Sequence, residues 1–257
     1  MTILHRCLVQ LQSALKDIES KIAIWVSNDP SFRMSDIVDA PLILNYVSRW
    51  PLVANLLCAC FCLGCSATFH LVQIHSPKIY DLFVKLDYCG ISVLMWGSSC
   101  PMLFYSFSCK PVFWVRNIFL AFVSTTSLLS FVGALHPVLN KPALRTVRAY
   151  LYVGLGLSTG VPFIYLANVP RGHEPYVNPG FELQPWVIGG AVYIIGAAIY
   201  ALRIPEKHFP RTFDYIGQSH NIHHACVLAG CAIHFNASMN LYLARKEMVC
   251  PIDFPSM

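Results

Sequence analysis

The stretch PLVANLLCACFCLGCSATFHLVQIHSP, from Pro51 to Pro77, contains no Asp, Glu, Lys or Arg. A helix rises 1.5 Å per residue and needs about 20 residues to cross a hydrocarbon core of ~30 Å, so this stretch is long enough to span a bilayer. Five more meet the same test: Tyr88 to Cys109, Asn117 to Asn140, Ala149 to Pro170, Leu183 to Leu202 and Tyr215 to Ala244. The polar connections between them are too short to hold a domain. The chain therefore reads as an all-α, polytopic transmembrane helical bundle of about six spans over residues 51–245, with a distinct region 1–50 before it and a short tail, 246–257, after it.

Composition agrees. Charged residues make up 12% of the chain and hydrophobic ones 56%, with mean hydropathy +0.54, where a soluble domain carries roughly 25% charged residues. The net charge of +5 is scattered through loops and forms no long basic run, which argues against a nucleic-acid partner and for contact with lipid headgroups. Eight cysteines, Cys58, Cys60, Cys62, Cys65, Cys89, Cys100, Cys226 and Cys231, fall inside spans. There they act as small apolar residues, so disulfides are not expected to be the framework. Cys62 and Cys65 form one CxxC with no second pair at zinc-ribbon spacing. Met1 to Leu15 has no continuous apolar core of the kind a cleavable signal requires.

In residues 1–50, Leu8, Leu11, Leu15, Ile18, Ile22 and Trp25 recur at steps of three and four opposite Gln12, Ser13, Lys16, Asp17 and Ser20. This is the pattern of an amphipathic helix lying along the membrane surface or against neighbouring helices. A second short helical segment is expected from about Met34 to Val47. Further on, Pro101 and Pro162 fall inside spans and should kink them.

Alternation of six spans assigns each span end to one of two membrane faces. Face X is where the first span exits, and face Y is the other. His70 lies near that exit, Asp87 at the start of the second span, and His220 and His224 in the first turns of the sixth, so all four share face X. Ser66 and His70 are four residues apart, as are His220 and His224, and such pairs share one helix face. Three imidazoles plus a water is the usual open zinc arrangement. The expected metal ligands are therefore His70, His220 and His224 for Zn²⁺. Asp87 is placed to hold or deprotonate the metal's water, and Ser66 to hydrogen-bond that water or a substrate oxygen.

Taken singly, a histidine in a span is more often a helix-to-helix hydrogen-bonding group than a ligand. An ionisable residue at membrane depth nevertheless costs roughly 2.5–3.5 kcal/mol on the insertion scale and needs a partner. His223 points about 100° away from His224 and His234 lies about 15 Å further along the helix, while His136 and His75 sit at the margin. Opposed histidine pairs for haem fit less well than zinc with Asp and Ser alongside, and a single site at one face argues against a metal-transport path.

Ser66-x-x-x-His70, Lys85-Leu-Asp87-Tyr-Cys-Gly-Ile91, Gly154-Leu-Gly-Leu-Ser158, Arg203-Ile-Pro-Glu206 and Gly217-Gln-Ser-His220-x-x-x-His224 together resemble the motifs of the progestin and adipoQ receptors. That family includes the adiponectin receptors, yeast zinc-homeostasis proteins and haemolysin III relatives. The likeness covers nearly everything from Trp50 to Phe235. It implies zinc on His70, His220 and His224, with Asp87 holding the water and Ser66 beside it. It also implies seven spans, the first opening with an Asn-x-Trp-Thr-His type motif that is missing here, so residues 1–50 are expected to match the connection between the family's first two spans.

The family puts its zinc side in the cytoplasm. The face X loops carry eight Lys or Arg against five beyond the first span on face Y, which favours the same orientation. The bias reverses when the five in residues 1–50 are counted. The function expected from the resemblance is an integral, multipass protein of the plasma membrane or an endomembrane that couples signalling to zinc-dependent hydrolysis of an amide-linked lipid such as ceramide. The alternative is a non-catalytic receptor, responding to an extracellular ligand, in which the zinc is structural.

Overall fold

Pro51, Pro77 and Pro162 each stand in the first turn of a helix, where a missing N–H costs nothing and the fixed φ favours helix. The computed structural model describes residues 47–137, 144–169, 173–214 and 216–250. The expected amphipathic N-terminal helix, and the expected helical segment from about Met34 except for its last residue, fall in residues 1–46, outside the described residues. In chain order the helices are α1 (Trp50–Val72), α2 (Pro77–Ser106), α3 (Phe113–Leu135), α4 (Arg145–Ser158), α5 (Val161–Ala167), α6 (Leu183–Leu202) and α7 (Ser219–Glu247). There is no strand among the described residues.

Five segments combine the length and apolarity needed to cross a membrane: Trp50–Val72, Lys110–Leu135, Tyr150–Ala167, Leu183–Leu202 and Ser219–Glu247. The sixth expected span, α2, does not meet the apolarity test. Lys78, Asp81, Lys85 and Asp87 occupy its first three turns, and its 30 residues make it about 45 Å long. That is enough to carry its uncharged part alongside α1 and α3 through the same thickness. Pro101 is accommodated inside a continuous α2. Pro162 does more than kink its span, which breaks at Thr159 and Gly160 into α4 and α5.

Small residues let the helices approach closely, as expected where lipid supplies no hydrophobic drive for association. A Cβ added at Gly97 of α2 would lie 2.4 Å from the Cβ of Cys58 in α1, and one at Gly196 of α6 would lie 2.6 Å from the Cβ of Cys226 in α7. Polar pairs reinforce these seams. Ser92 donates to Ser130 at 2.9 Å and the Trp96 indole N–H donates to Ser124 at 2.9 Å, both joining α2 to α3. Contacts of Cys62 with Gly90 and of Cys58 with Gly97 fix α1 and α2 antiparallel. Ser98 with His234 and Tyr105 with Tyr242 fix α2 and α7 parallel.

The best-packed part of the bundle lies toward face Y, where Met102, Leu103, Phe107, Val112, Trp186 and Met248 share one buried cluster. Asn178, 1% exposed, closes it. Its side-chain amide donates to the carbonyls of Tyr105 (3.2 Å) and Leu241 (3.0 Å), its backbone N–H to Ser106 (2.9 Å), and its side-chain oxygen accepts from Gly180 (2.9 Å). A disulfide joins Cys109, after α2, to Cys250, after α7. Both cysteines lie outside the helices, so this one cross-link at face Y stands beside the expectation that disulfides are not the framework. Cys58, Cys60, Cys62, Cys65, Cys89, Cys100, Cys226 and Cys231 are all free thiols.

Gly97→Ala should destabilise the bundle by about 1–3 kcal/mol, since the added methyl has no room. Gly64→Ala, where nothing lies within 4 Å of the new Cβ, should be neutral or stabilising by about 0.5–1 kcal/mol. Unfolding midpoints in detergent compare the two, and equal shifts would contradict the packing described.

Candidate metal centre

Antiparallel α1 and α2 carry Ser66 and Asp87 to one level, in step with the Cys62 and Gly90 contact just below. The parallel register that pairs Ser98 with His234 likewise carries Asp87 to the level of His224. Topology thus assembles one face of three helices near face X: His70 two residues before the end of α1, Asp87 in the third turn of α2, and His220 and His224 in the first two turns of α7.

The three imidazoles converge on their Nε2 atoms. His70 Nε2 lies 3.1 Å from His220 Nε2 and 3.3 Å from His224 Nε2, and one ligand atom from each histidine falls within 4.8 Å of the others. The His70 ring stands edge-on to both partners, at interplanar angles of 87° and 89°. Two N–H groups cannot both donate along the single in-plane lone pair of His70 Nε2, so hydrogen bonding alone does not satisfy this arrangement. A cation does. Tetrahedral ligands at the 2.0–2.1 Å of zinc–imidazole bonds are about 3.3 Å apart, which matches the spacing of the nitrogens. The residues present fit a metal ion held by three histidines. His70 is exposed and the other two are half-buried, so one side of the cluster is open.

Asp87 is near enough to His70 and His224 to interact electrostatically with both. The Ser66 hydroxyl is buried beside the Asp87 carboxylate without a hydrogen bond in standard geometry. Asp81, one turn and a half earlier, is engaged elsewhere: Lys85 donates to it at 2.6 Å across one turn of α2. Among the described residues this leaves Asp87 as the carboxylate at the cluster.

The remaining histidines stand apart. The His223 ring lies against Tyr200 of α6, with centroids 5.4 Å apart and planes at 30°. His234 sits deep in the bundle, one nitrogen 3.0 Å from Ser98 Oγ and the other 3.1 Å from the Trp186 carbonyl. With a carbonyl and a hydroxyl as partners, its ring ties α2, α6 and α7 together. His136 caps the end of α3 and His75 lies in the exposed turn after α1; neither joins the three. Residue spacing points to no role for Tyr200, whose ring also meets His220 edge-on at 5.1 Å, or for Ser219 and Glu206, which hydrogen-bond at the start of α7. Spacing alone could not pair residues from helix and loop; Glu206 stood only within the Arg203-Ile-Pro-Glu206 motif.

A profile described as haemolysin-III related matches residues 24–235. Heptahelical transmembrane protein 4 of Arabidopsis thaliana is 36% identical over 210 residues, 81% of this chain and 53% of the plant protein. An adiponectin receptor protein of Drosophila melanogaster is 38% identical over 198 residues, 76% of this chain and 44% of its own. Heptahelical transmembrane protein ADIPOR2 of Oryza sativa subsp. japonica is 37% identical over 205 residues, covering 79% of this chain and 86% of its own. The chain spans about half the length of most of the curated relatives it matches.

Purified protein should hold about one zinc per chain, and His220→Ala or His224→Ala should abolish it. Metal analysis checks this, and full retention in both variants would remove the site. Because a ligand of the folded state stabilises it by about 4 kcal/mol at a thousandfold excess over Kd, chelation should lower the thermal midpoint in detergent and added zinc should restore it.

Proposed function

This chain belongs to the haemolysin-III related family, and on that premise we propose that it is an adiponectin-receptor-like multipass membrane protein that binds zinc and hydrolyses an amide-linked lipid of the ceramide class, with signalling attached to the product. The observation that carries this reading is the convergence of three imidazole nitrogens, open on one side, with the Asp87 carboxylate near enough to His70 and His224 to interact electrostatically with both. A purely structural tie has no need of the carboxylate or the opening.

His70, His220 and His224 would hold the ion. Zinc, when bound, supplies a Lewis acid that polarises a carbonyl and makes water acidic near neutral pH. Asp87 then accepts a proton at its carboxylate and returns it to the leaving amine nitrogen, a general acid–base role that its position beside His70 and His224 permits. The Ser66 hydroxyl, buried beside the Asp87 carboxylate, is placed to donate to that carboxylate or to a substrate oxygen. The exposed His70 edge lets an amide at headgroup depth reach the site while the acyl chain stays among apolar surfaces such as Leu71 and Ile74.

Two observations support a cytosolic face X. The Cys109–Cys250 disulfide at face Y is of a kind that persists in oxidising compartments, and the loops at face X beyond the first span carry the larger share of Lys and Arg, as cytoplasmic loops do.

The second reading, a receptor in which zinc only pins the bundle, draws on the fact that the ligands come from α1 and α7, the two ends of the described bundle. Asp87→Asn separates the two. Under hydrolysis it should retain zinc while losing ceramide turnover by a factor of about 10²–10⁴, the usual worth of a positioned acid or base, and losing signalling with it. Mass spectrometry of released fatty acid reads the first outcome. Undiminished signalling by a zinc-loaded Asp87→Asn protein would instead favour the receptor without chemistry.

A further inference from the structure

The first turn of α7 carries a metal ligand, yet the helix has no local cap. Gln218 stands at the N-cap without a side-chain hydrogen bond, and the first amides of any helix lack partners within it. His220 is the second residue of α7, so its backbone belongs to the part of a helix that frays most readily. Its Nε2 must nonetheless stay 3.1 Å from that of His70. Ligand positions tolerate about 0.5 Å of error before a site loosens.

The missing cap comes from the loop between α6 and α7. Arg203 ends α6 in the left-handed region at φ 58°, and backbone hydrogen bonds from Lys207 to Arg203 (2.9 Å) and from His208 to Pro205 (2.9 Å) fold the chain that follows. This turn presents Glu206 to the start of α7. One carboxylate oxygen accepts from the Ser219 backbone N–H at 2.8 Å and the other from the Ser219 hydroxyl, while Ser219 itself is only 2% exposed. Both oxygens are engaged thirteen residues away in sequence. A bidentate grip fixes direction as well as distance, and a negative charge at a helix N-terminus is favoured by the helix dipole. The Ser219 hydroxyl, its amide and the nearby Arg203 hold the Glu206 carboxyl below its ordinary range, which keeps it an acceptor at neutral pH.

We propose that Glu206 is a positioning residue of the metal site: by gripping Ser219 it fixes the rotation and height of the first turn of α7, and so aims His220 and His224 at His70. The proposal rests on the zinc-binding reading above and is independent of lipid hydrolysis. Glu206 acts through Ser219, the residue next to His220.

The test is zinc affinity of the full-length protein in detergent, measured by competition with a chromogenic chelator, with Co²⁺ substituted as a spectroscopic probe of ligand geometry. Glu206→Ala should weaken zinc by about 10–100-fold, as loss of an outer-shell partner does, and should alter the visible Co²⁺ spectrum. Glu206→Gln, which keeps one acceptor oxygen, should fall between it and the unaltered protein; if Glu206→Ala fails to fold, Glu206→Gln and Ser219→Ala carry the test. Asn178→Ala, at face Y, supplies the comparison a merely structural role would match: it should lower the thermal midpoint with zinc affinity and Co²⁺ spectrum unchanged. Unaltered affinity in the Glu206 variants, or an equal loss in Asn178→Ala, overturns the proposal. Absence of zinc binding by the unaltered protein overturns it together with the metal reading, whereas absence of lipid turnover bears only on the hydrolase reading.

Discussion

The Nε2 atoms of His220 and His224 both approach that of His70 near face X, and this meeting joins α1 to α7. In lipid a polar group without a partner costs several kcal/mol, so histidines in spans must be satisfied by one another, by backbone or by a cation. His234 is satisfied by side chain and backbone, with a hydroxyl on one nitrogen and a carbonyl on the other. His70, His220 and His224 lack that balance, since nitrogens face nitrogens at 3.1 and 3.3 Å. A metal ion bound among them would brace the two ends of the described bundle.

The two faces of the molecule are held by different means. At face Y, Asn178, the Cys109–Cys250 disulfide and a buried aromatic cluster join α2, α7 and the loop before α6. In the half toward face X the connections among the described residues include the seams of Cys62 with Gly90 and of Cys226 with Gly196, hydrogen bonds from Tyr152 to Tyr88 and from Ser92 to Ser130, the Glu206 grip and the histidine cluster, but no buried apolar cluster like that at face Y. Stability is therefore unevenly distributed, and local opening is expected first at the end held by fewer buried contacts. This is where a substrate would have to reach the site. A rigid face Y with an openable face X suits a membrane protein that admits a lipid from one side, and it also suits one whose metal state is read by the rest of the bundle.

Much of this was legible in the sequence because each feature rested on a short-range rule. Uncharged runs gave the helices, i to i+4 spacing gave the Ser66 and His70 pair and the His220 and His224 pair, and alternation of spans brought them to one face. The exceptions come from interactions that a one-dimensional rule does not see. The charged first turns of α2 lower its apolarity although its packing carries it through the bundle. Gly160 and Pro162 together break a span that Pro162 alone would have kinked. Cys109 and Cys250 are 141 residues apart, and nothing in their spacing announces a bond. Glu206 was visible only as part of a motif, since its role depends on the turn that presents it to Ser219. The amphipathic helix expected between Leu8 and Trp25 falls outside the described residues.

The claim on which the account turns is that one ion joins His70, His220 and His224. Zinc K-edge absorption spectroscopy of the purified, zinc-loaded protein tests it most directly. The account predicts light N or O scatterers at about 2.0–2.1 Å with the outer-shell pattern of imidazole and no sulfur. Sulfur scattering at about 2.3 Å, which would place the ion among thiols such as Cys62 and Cys65, would contradict it.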